Sequence, residues 1–187
     1  MTTSCNARRT VFRQIAQRTY TDWPAYSSTP LYDRSSLDGL ESDIRTVSQT
    51  WFRHDRHESV ENFICSLPLA YFNFDAHDRY AGPTRYETET LFRVFVLKEC
   101  HGWDHETALV EYLDRRPELC EQLGLETVPN QSTLWRSWHN RFTAEFRGTV
   151  ETAARTILIK AQNAGVAVPR EPDRNLPSHG DEADESD

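Results

Sequence analysis

The sequence predicts an all-α fold, a multi-helix bundle with a disordered acidic C-terminal tail. Two observations carry that prediction. Apolar residues recur at intervals of three and four in successive segments between Leu37 and Ala161, the spacing that gives a helix a buried face. Residues that start or stop helices separate those segments, among them Pro68, Gly102, Pro117, Gly124 and Asn130. The 187 residues are 37% hydrophobic and include five Trp, seven Tyr and nine Phe, enough for a modest core in one domain. The expected organisation is a basic N-terminal arm or short helix over 1–30, a helical domain over 31–166 and an acidic tail or linker over 167–187.

In chain order, the first twenty residues carry Arg8, Arg9, Arg13 and Arg18 and no acid. They read either as an arm on phosphates or in a minor groove, or as a short amphipathic helix with Phe12, Ile15 and Ala16 inward. Leu37, Leu40, Ile44, Val47 and Trp51 then form a narrow seam suited to packing against another helix. Packing within the chain is the preferred reading, and a dimer contact the alternative. A second helix runs from His57 to Leu67 through Val60, Phe63 and Ile64, and Pro68 stops it. Ala81-Gly82-Pro83 marks a turn. From Glu87 to His101, Leu91, Phe92, Val94, Phe95, Val96, Leu97 and Cys100 leave almost no polar stripe, as in a helix buried on most of its circumference.

Gly102 ends that helix. Asp104 is placed to N-cap the next, with Trp103 stapled against Ala108, and Ala108, Leu109, Tyr112 and Leu113 repeat at helical spacing. Pro117 fits the first turn of a short helix carrying Leu119, Cys120 and Leu123, which Gly124 can close in the left-handed conformation. After a turn at Val128-Pro129, Asn130 caps a helix from Gln131 to Arg141. Its Leu134, Trp135 and Trp138, with Phe142 beyond, are expected to face the core, and Ser132, Thr133, Arg136 and Asn140 to face out. Short helices ending in a polar-faced one are the plan of a helix-turn-helix DNA reader. Finally, Phe146, Val150, Ala153, Ala154, Ile157, Leu158 and Ala161 predict a long bracing helix over Thr143–Ala164.

The stretch LFRVFVLKECHGWDHETALVEYLDRRPELCEQLGLETVPNQSTLWR resembles the N-terminal DNA-binding region of insertion-sequence transposases of the DDE type. Its landmarks are the helix ending in Lys98, then Gly102-Trp103, a spaced Leu pair, Pro117-Glu118-Leu119, Leu123-Gly124 and Pro129-x-Gln131-Ser132-Thr133-Leu134. Asn130 stands where such proteins more often carry Asp, and both residues cap helices. The text from Tyr32 onward, including SQTWFRHDRHESVENF, looks like the haloarchaeal variant. The resemblance implies sequence-specific binding of transposon terminal inverted repeats in DNA transposition and recombination. It assigns Gln131, Ser132, Thr133, Arg136, His139 and Asn140 to the reading helix, with Arg136 the leading base contact. Arg141, Arg147, Arg8, Arg9 and Arg13 would hold phosphates.

Members of that family cut DNA with three carboxylates on a sheet-containing RNase H-like fold that binds two metal ions. No run of Val, Ile, Thr and aromatic residues bounded by turns follows Val168. The resemblance implies a truncated transposase, or the N-terminal part of one whose catalytic half is encoded separately, with no catalysis or cofactor expected of this chain alone and a divalent metal such as Mg belonging to the missing catalytic domain. Expected partners are double-stranded DNA at transposon ends and a homodimer, or a heterodimer with the full-length transposase. The alternative function is a dimerising interaction module or a repressor of the full-length enzyme.

Composition fits a halophile. Of 21 basic residues only Lys98 and Lys160 are lysines, against 29 acids and a net charge of −8. Such a surface stays hydrated in concentrated salt, where phosphate attraction fades and hydrogen bonds, apolar contacts and shape must carry more of any DNA recognition. Seven acids fall between Val168 and Asp187, in a segment rich in Pro and Ser. Cys5, Cys65, Cys100 and Cys120 form no CxxC pair and read as free thiols in a reducing compartment. His54 with His57, and His101 with His105, lack further ligands at metal-site spacing. No apolar stretch approaches the roughly 18 residues of a membrane span and the polar N-terminus is no signal peptide, so a cytoplasmic protein is expected.

Overall fold

The protein is described by a computed structural model over residues 34–54, 58–80 and 82–172. Three long helices make its centre: α1 (Leu37–His54), α3 (Thr88–His101) and α7 (Ala144–Asn163), with α7 packed against both α1 and α3. The α1 seam is spent inside the chain. Leu40, Ile44, Val47 and Trp51 are each at most 2% exposed, and the facing stripe of α7 buries Val150, Ala153, Ala154, Ile157, Leu158 and Ala161. The α1 seam, for which the sequence left a dimer contact as the alternative, is covered by the α7 stripe. The Thr149 hydroxyl adds a hydrogen bond across the pair, donating to Glu41 Oε1 at 2.8 Å.

The almost continuous apolar surface of α3 has the consequence expected of it. Leu91, Phe92, Val94, Phe95, Val96 and Cys100 are completely buried, which removes each side chain from water at about 25 cal/mol per Å² of apolar area. Gly102 closes the helix at φ 70°, in the left-handed region that glycine enters without a Cβ clash. At the centre of the core the rings of Phe74, Phe92, Phe142 and Phe146 meet edge to face or tilted, with centroids 4.7 Å apart for Phe142 and Phe146 and 5.4 Å for Phe74 and Phe92.

Shorter elements flank this centre. Helix α2 (Val60–Ser66) starts later than the sequence pattern suggests because Ser59 caps it, its side chain accepting from the Asn62 N–H. Residues 55–57, including His57, lie outside the described residues. A single 3-10 turn, Phe74–His77, inserts Phe74 into the core; its length is too short for a periodic signal. Helix α4 (Glu106–Asp114) takes His105 and not Asp104 at its N-cap position, and no side chain makes the capping bond there. Trp103, expected to staple against Ala108, stacks on His101 with centroids 4.2 Å apart and packs beside Tyr112. Helix α5 (Pro117–Leu123) opens on its proline and closes at Gly124, φ 85°.

The chain after α7 stays on the bundle for longer than a tail beginning at 167 implies. Val166 and Pro172 are buried and Arg170 donates to the Glu99 carbonyl at 2.9 Å. Among the described residues there is no strand, only an isolated antiparallel bridge between Asp78 and Phe142, and no helix is long and apolar enough to cross a membrane. Cys65, Cys100 and Cys120 are free, and burial pushes the Cys65 thiol up to about 11. Cys5 lies outside the described residues, as do the N-terminal arginines and the segment beyond Pro172.

Candidate nucleic-acid interface

Helix α6 (Gln131–Arg136) begins where the sequence places it. The Asn130 side chain accepts from the Thr133 N–H at 2.8 Å, satisfying one of the donors that a helix start leaves open. Leu134 is fully buried, Phe142 likewise, and Trp138 is half-buried against Phe95 with centroids 4.8 Å apart. Trp138 and Phe142 both meet the Phe95 ring of α3 and so fasten the segment that follows the helix.

Trp135 does not join them. It is 49% exposed, and the buried place beside Leu134 goes instead to Ser137, 2% exposed, whose hydroxyl donates to the Thr133 carbonyl at 2.8 Å. Residue 135 stands about 100° round the helix from Leu134, away from the single stripe that faces the interior. Position therefore overrides residue type: the serine is inside and its hydroxyl is satisfied, while the tryptophan is outside.

The helix also does not continue regularly to Arg141. From Ser137 to Arg141 the backbone widens into a π turn, closed by the Phe142 N–H donating to the Ser137 carbonyl at 3.1 Å. The end of this turn is clamped by the 78–88 segment. The Arg79 N–H donates to the Arg141 carbonyl at 2.8 Å. The Arg141 guanidinium lies 2.6 Å from Asp78 Oδ2 and also donates to the Tyr86 carbonyl at 3.3 Å.

Both members of this ion pair are withdrawn from water, at 13% exposure for the Arg141 side chain and 7% for Asp78. Burial works to raise the Asp78 carboxyl. Hydrogen bonds from Arg141, the Tyr80 N–H and the Thr88 hydroxyl outweigh it and hold the group below the usual carboxylate range. Arg141, which the sequence offered as a phosphate contact, is thus turned inward and ties the π turn to a segment 63 positions earlier in the chain.

What remains on the outside is a compact polar and aromatic surface. Gln131, Ser132, Trp135, Arg136, His139 and Asn140 are all exposed, and Thr133 is half-buried. The Arg136 guanidinium has no hydrogen bond or ion pair with any described residue. His139 lies against Trp135 with ring centroids 4.5 Å apart, one helical turn along. On the opposite flank Thr133, Arg136 and Asn140 border a groove of about 510 Å³ whose far wall includes Tyr80, Arg85 and Tyr86. Arg85 is fixed there by donating to the Thr127 hydroxyl at 2.9 Å. Arg147 is half-buried in the first turn of α7.

Charge is redistributed in this region. Between Val128 and Val150 the only acid is Glu145, against Arg136, Arg141 and Arg147, in a chain of net charge −8. The sequence pattern missed three components: the outward Trp135, the wall at Arg85 and Tyr86, and the Asp78 tie. None has a local signal, because each depends on segments far apart in the chain.

Helix α4, which packs against both α5 and α6, is held by a second polar cluster. Glu61 of α2 accepts from the Tyr112 hydroxyl and from Arg116 at 3.0 Å, with His101 Nε2 3.3 Å away. The hydrogen bond to His101, more than those from Tyr112 and Arg116, keeps the Glu61 carboxyl low despite its burial. Burial and the bond to Glu61 push the Tyr112 hydroxyl up to about 12. His101 is occupied here, between Glu61 and the Trp103 ring, and no group of three or more metal-ligating side chains comes together among the described residues.

No curated protein and no solved structure matches the chain. Residues 53–140 match the family described as Transposase domain (DUF772), a span that runs from the last turn of α1 to Asn140 on the exposed surface, and over it the chain is transposase-related.

Proposed function

We propose that the protein binds double-stranded DNA through α6 and its π turn, reading the terminal inverted repeats of a transposable element as the end-recognition part of a DDE-type transposase. The observation that carries this reading is the outward face of α6. Ser132 and Arg136 on the helix and His139 and Asn140 on its π turn are exposed inside the span that matches the transposase domain, and they are groups that pair with base edges and phosphates. Helix α4 would cross the backbone and α6 would enter the major groove, the docking plan of a helix-turn-helix protein. The groove is about 12 Å wide, and a helix with side chains about 10–12 Å across. Arg136 is the base-reading guanidinium, because it alone of the arginines on α6 and its π turn is exposed and unpaired among the described residues. Arg147, Arg8, Arg9 and Arg13 are assigned to phosphates. End recognition, and not strand cleavage, is the role given to these residues.

The test is binding of the purified chain, in molar potassium chloride, to duplexes carrying the terminal repeats of an element with a related transposase, against shuffled duplexes. Preference for the repeats supports the reading, and equal binding in a folded chain overturns it. Arg136→Ala should cost about 1–3 kcal/mol at the preferred duplex and relax selectivity there. An equal loss on shuffled DNA would reduce Arg136 to a phosphate contact.

A further inference from the structure

Trp135 is one of two large hydrophobic side chains among the described residues that are strongly exposed, at 49%; the other is Tyr80 at 53%. The buried position that follows Leu134 is held by Ser137, at the start of the π turn, so the core takes the serine and leaves the indole outside. The ring is also not loose on the surface. His139, one turn on, lies against it with centroids 4.5 Å apart and planes tilted by 39°, which limits the rotamers open to the indole and lowers the entropy lost when it meets a partner. Its neighbours on the helix are Ser132, Arg136 and His139, all exposed. A large apolar group thus stands within a row of hydrogen-bonding ones, in the stretch of the chain where arginines outnumber acids.

Two chemistries of duplex DNA could receive such a ring. Stacking on a base face needs an unpaired or extruded base, because in an intact duplex the faces are covered by neighbouring base pairs. The major groove, however, exposes one apolar group, the C5-methyl of thymine, and apolar side chains meet it there. Trp135 flanks the outermost line of α6 by well under a right angle at about 100° per residue. This suits a contact to one strand's base edges at the side of the groove, while Arg136, about 100° further round, flanks the same line on the other side. An apolar contact is also the kind of recognition that concentrated salt leaves intact, whereas phosphate attraction fades.

We infer that Trp135, steadied by His139, is a specificity-determining contact to a thymine methyl group in the major groove. This contact rests on the DNA-reading role of α6. It makes the preferred duplex one that carries thymine, and not merely an A·T-rich shape, at the position Trp135 covers.

The experiment uses the full chain and a duplex it selects from a randomised pool, with each thymine replaced in turn by deoxyuridine. Uracil pairs with adenine as thymine does and lacks only the methyl group. At one or two positions the wild-type chain should lose about fourfold in affinity, the transfer free energy of one methyl group. That ratio should hold from about 0.1 to 1 M potassium chloride while overall affinity falls. Trp135→Ala should bind the thymine and uracil duplexes equally, and Trp135→Phe should restore part of the difference. The inference is overturned if the wild-type chain selects a sequence yet ignores the replacement at every thymine, or if Trp135→Ala keeps the wild-type ratio. A folded chain that selects no duplex overturns the DNA-reading role of α6, and this contact with it.

Discussion

Helices α3 and α6 are held by different means. Seven of the fourteen residues of α3 are apolar and point in nearly every direction, and six of them are completely buried. The position of α3 is over-determined, since any shift would expose area or open a cavity. Helix α6 has six regular residues before its π turn, too few to be stable alone. It is rooted by Leu134, Trp138 and Phe142, capped by Asn130 and tied by Arg141 to Asp78. The difference shows how a surface for recognition is made: the helix keeps most of its circumference outside because a few contacts, several of them polar, do the holding.

The sharpest way to break the comparison is at the ring cluster on which both helices depend. Phe146→Ala removes the ring that touches Phe74, Phe92 and Phe142, and should destabilise the fold by about 3–5 kcal/mol in chemical denaturation. A loss below about 1 kcal/mol would mean that the cluster does not join the two helices as described.

Asp78→Ala comes next. It leaves Arg141, withdrawn from water, without its carboxylate, and should cost roughly 1.5–3 kcal/mol. Asp78 and Glu61 are both held below the ordinary carboxylate range. Their contribution to stability is fully present above their ordinary values, 3.8 for Asp78 and 4.5 for Glu61, and is lost as the pH falls through their lower folded-state values. Thermal melts between neutral and strongly acid pH should therefore show a fall that is shallower in Asp78→Ala; an identical acid profile in the variant would remove the pair from the account.

Asn130→Ala tests the cap alone and should cost about 1 kcal/mol, seen as a lower denaturation midpoint. At the small end, Trp135→Ala should change stability by no more than about 0.5 kcal/mol, the range of an exposed position. A loss of several kcal/mol there would place the indole inside the fold and contradict its exposure.

These regions also differ in how far they could be read in the sequence. The extent of α3, its glycine stop and the whole stripe of α7 were legible, since burial writes itself into a strict apolar pattern over three or more turns. Pro117, Gly124 and Asn130 were legible because each has one local stereochemical use. The face assignment within α6 was only partly legible. Its apolar residues Leu134, Trp135, Trp138 and Phe142 fit one arc by count, and the pattern alone cannot tell that the core accepts a stripe too narrow for Trp135. The π turn and the inward Arg141 were illegible for the same reason, as both follow from contact with the 78–88 segment.

By itself, then, the sequence determined that the described chain is helical, where most of its helices start and stop, and which side chains form its centre, because these follow from local stereochemistry and from the periodic exclusion of apolar groups from water. Only the tertiary structure decided which of the exposed and half-exposed groups are free. Arg141 and Arg136 look alike in the sequence, five positions apart, and it is the arrival of Asp78 from a distant segment that spends one on the fold and leaves the other facing solvent.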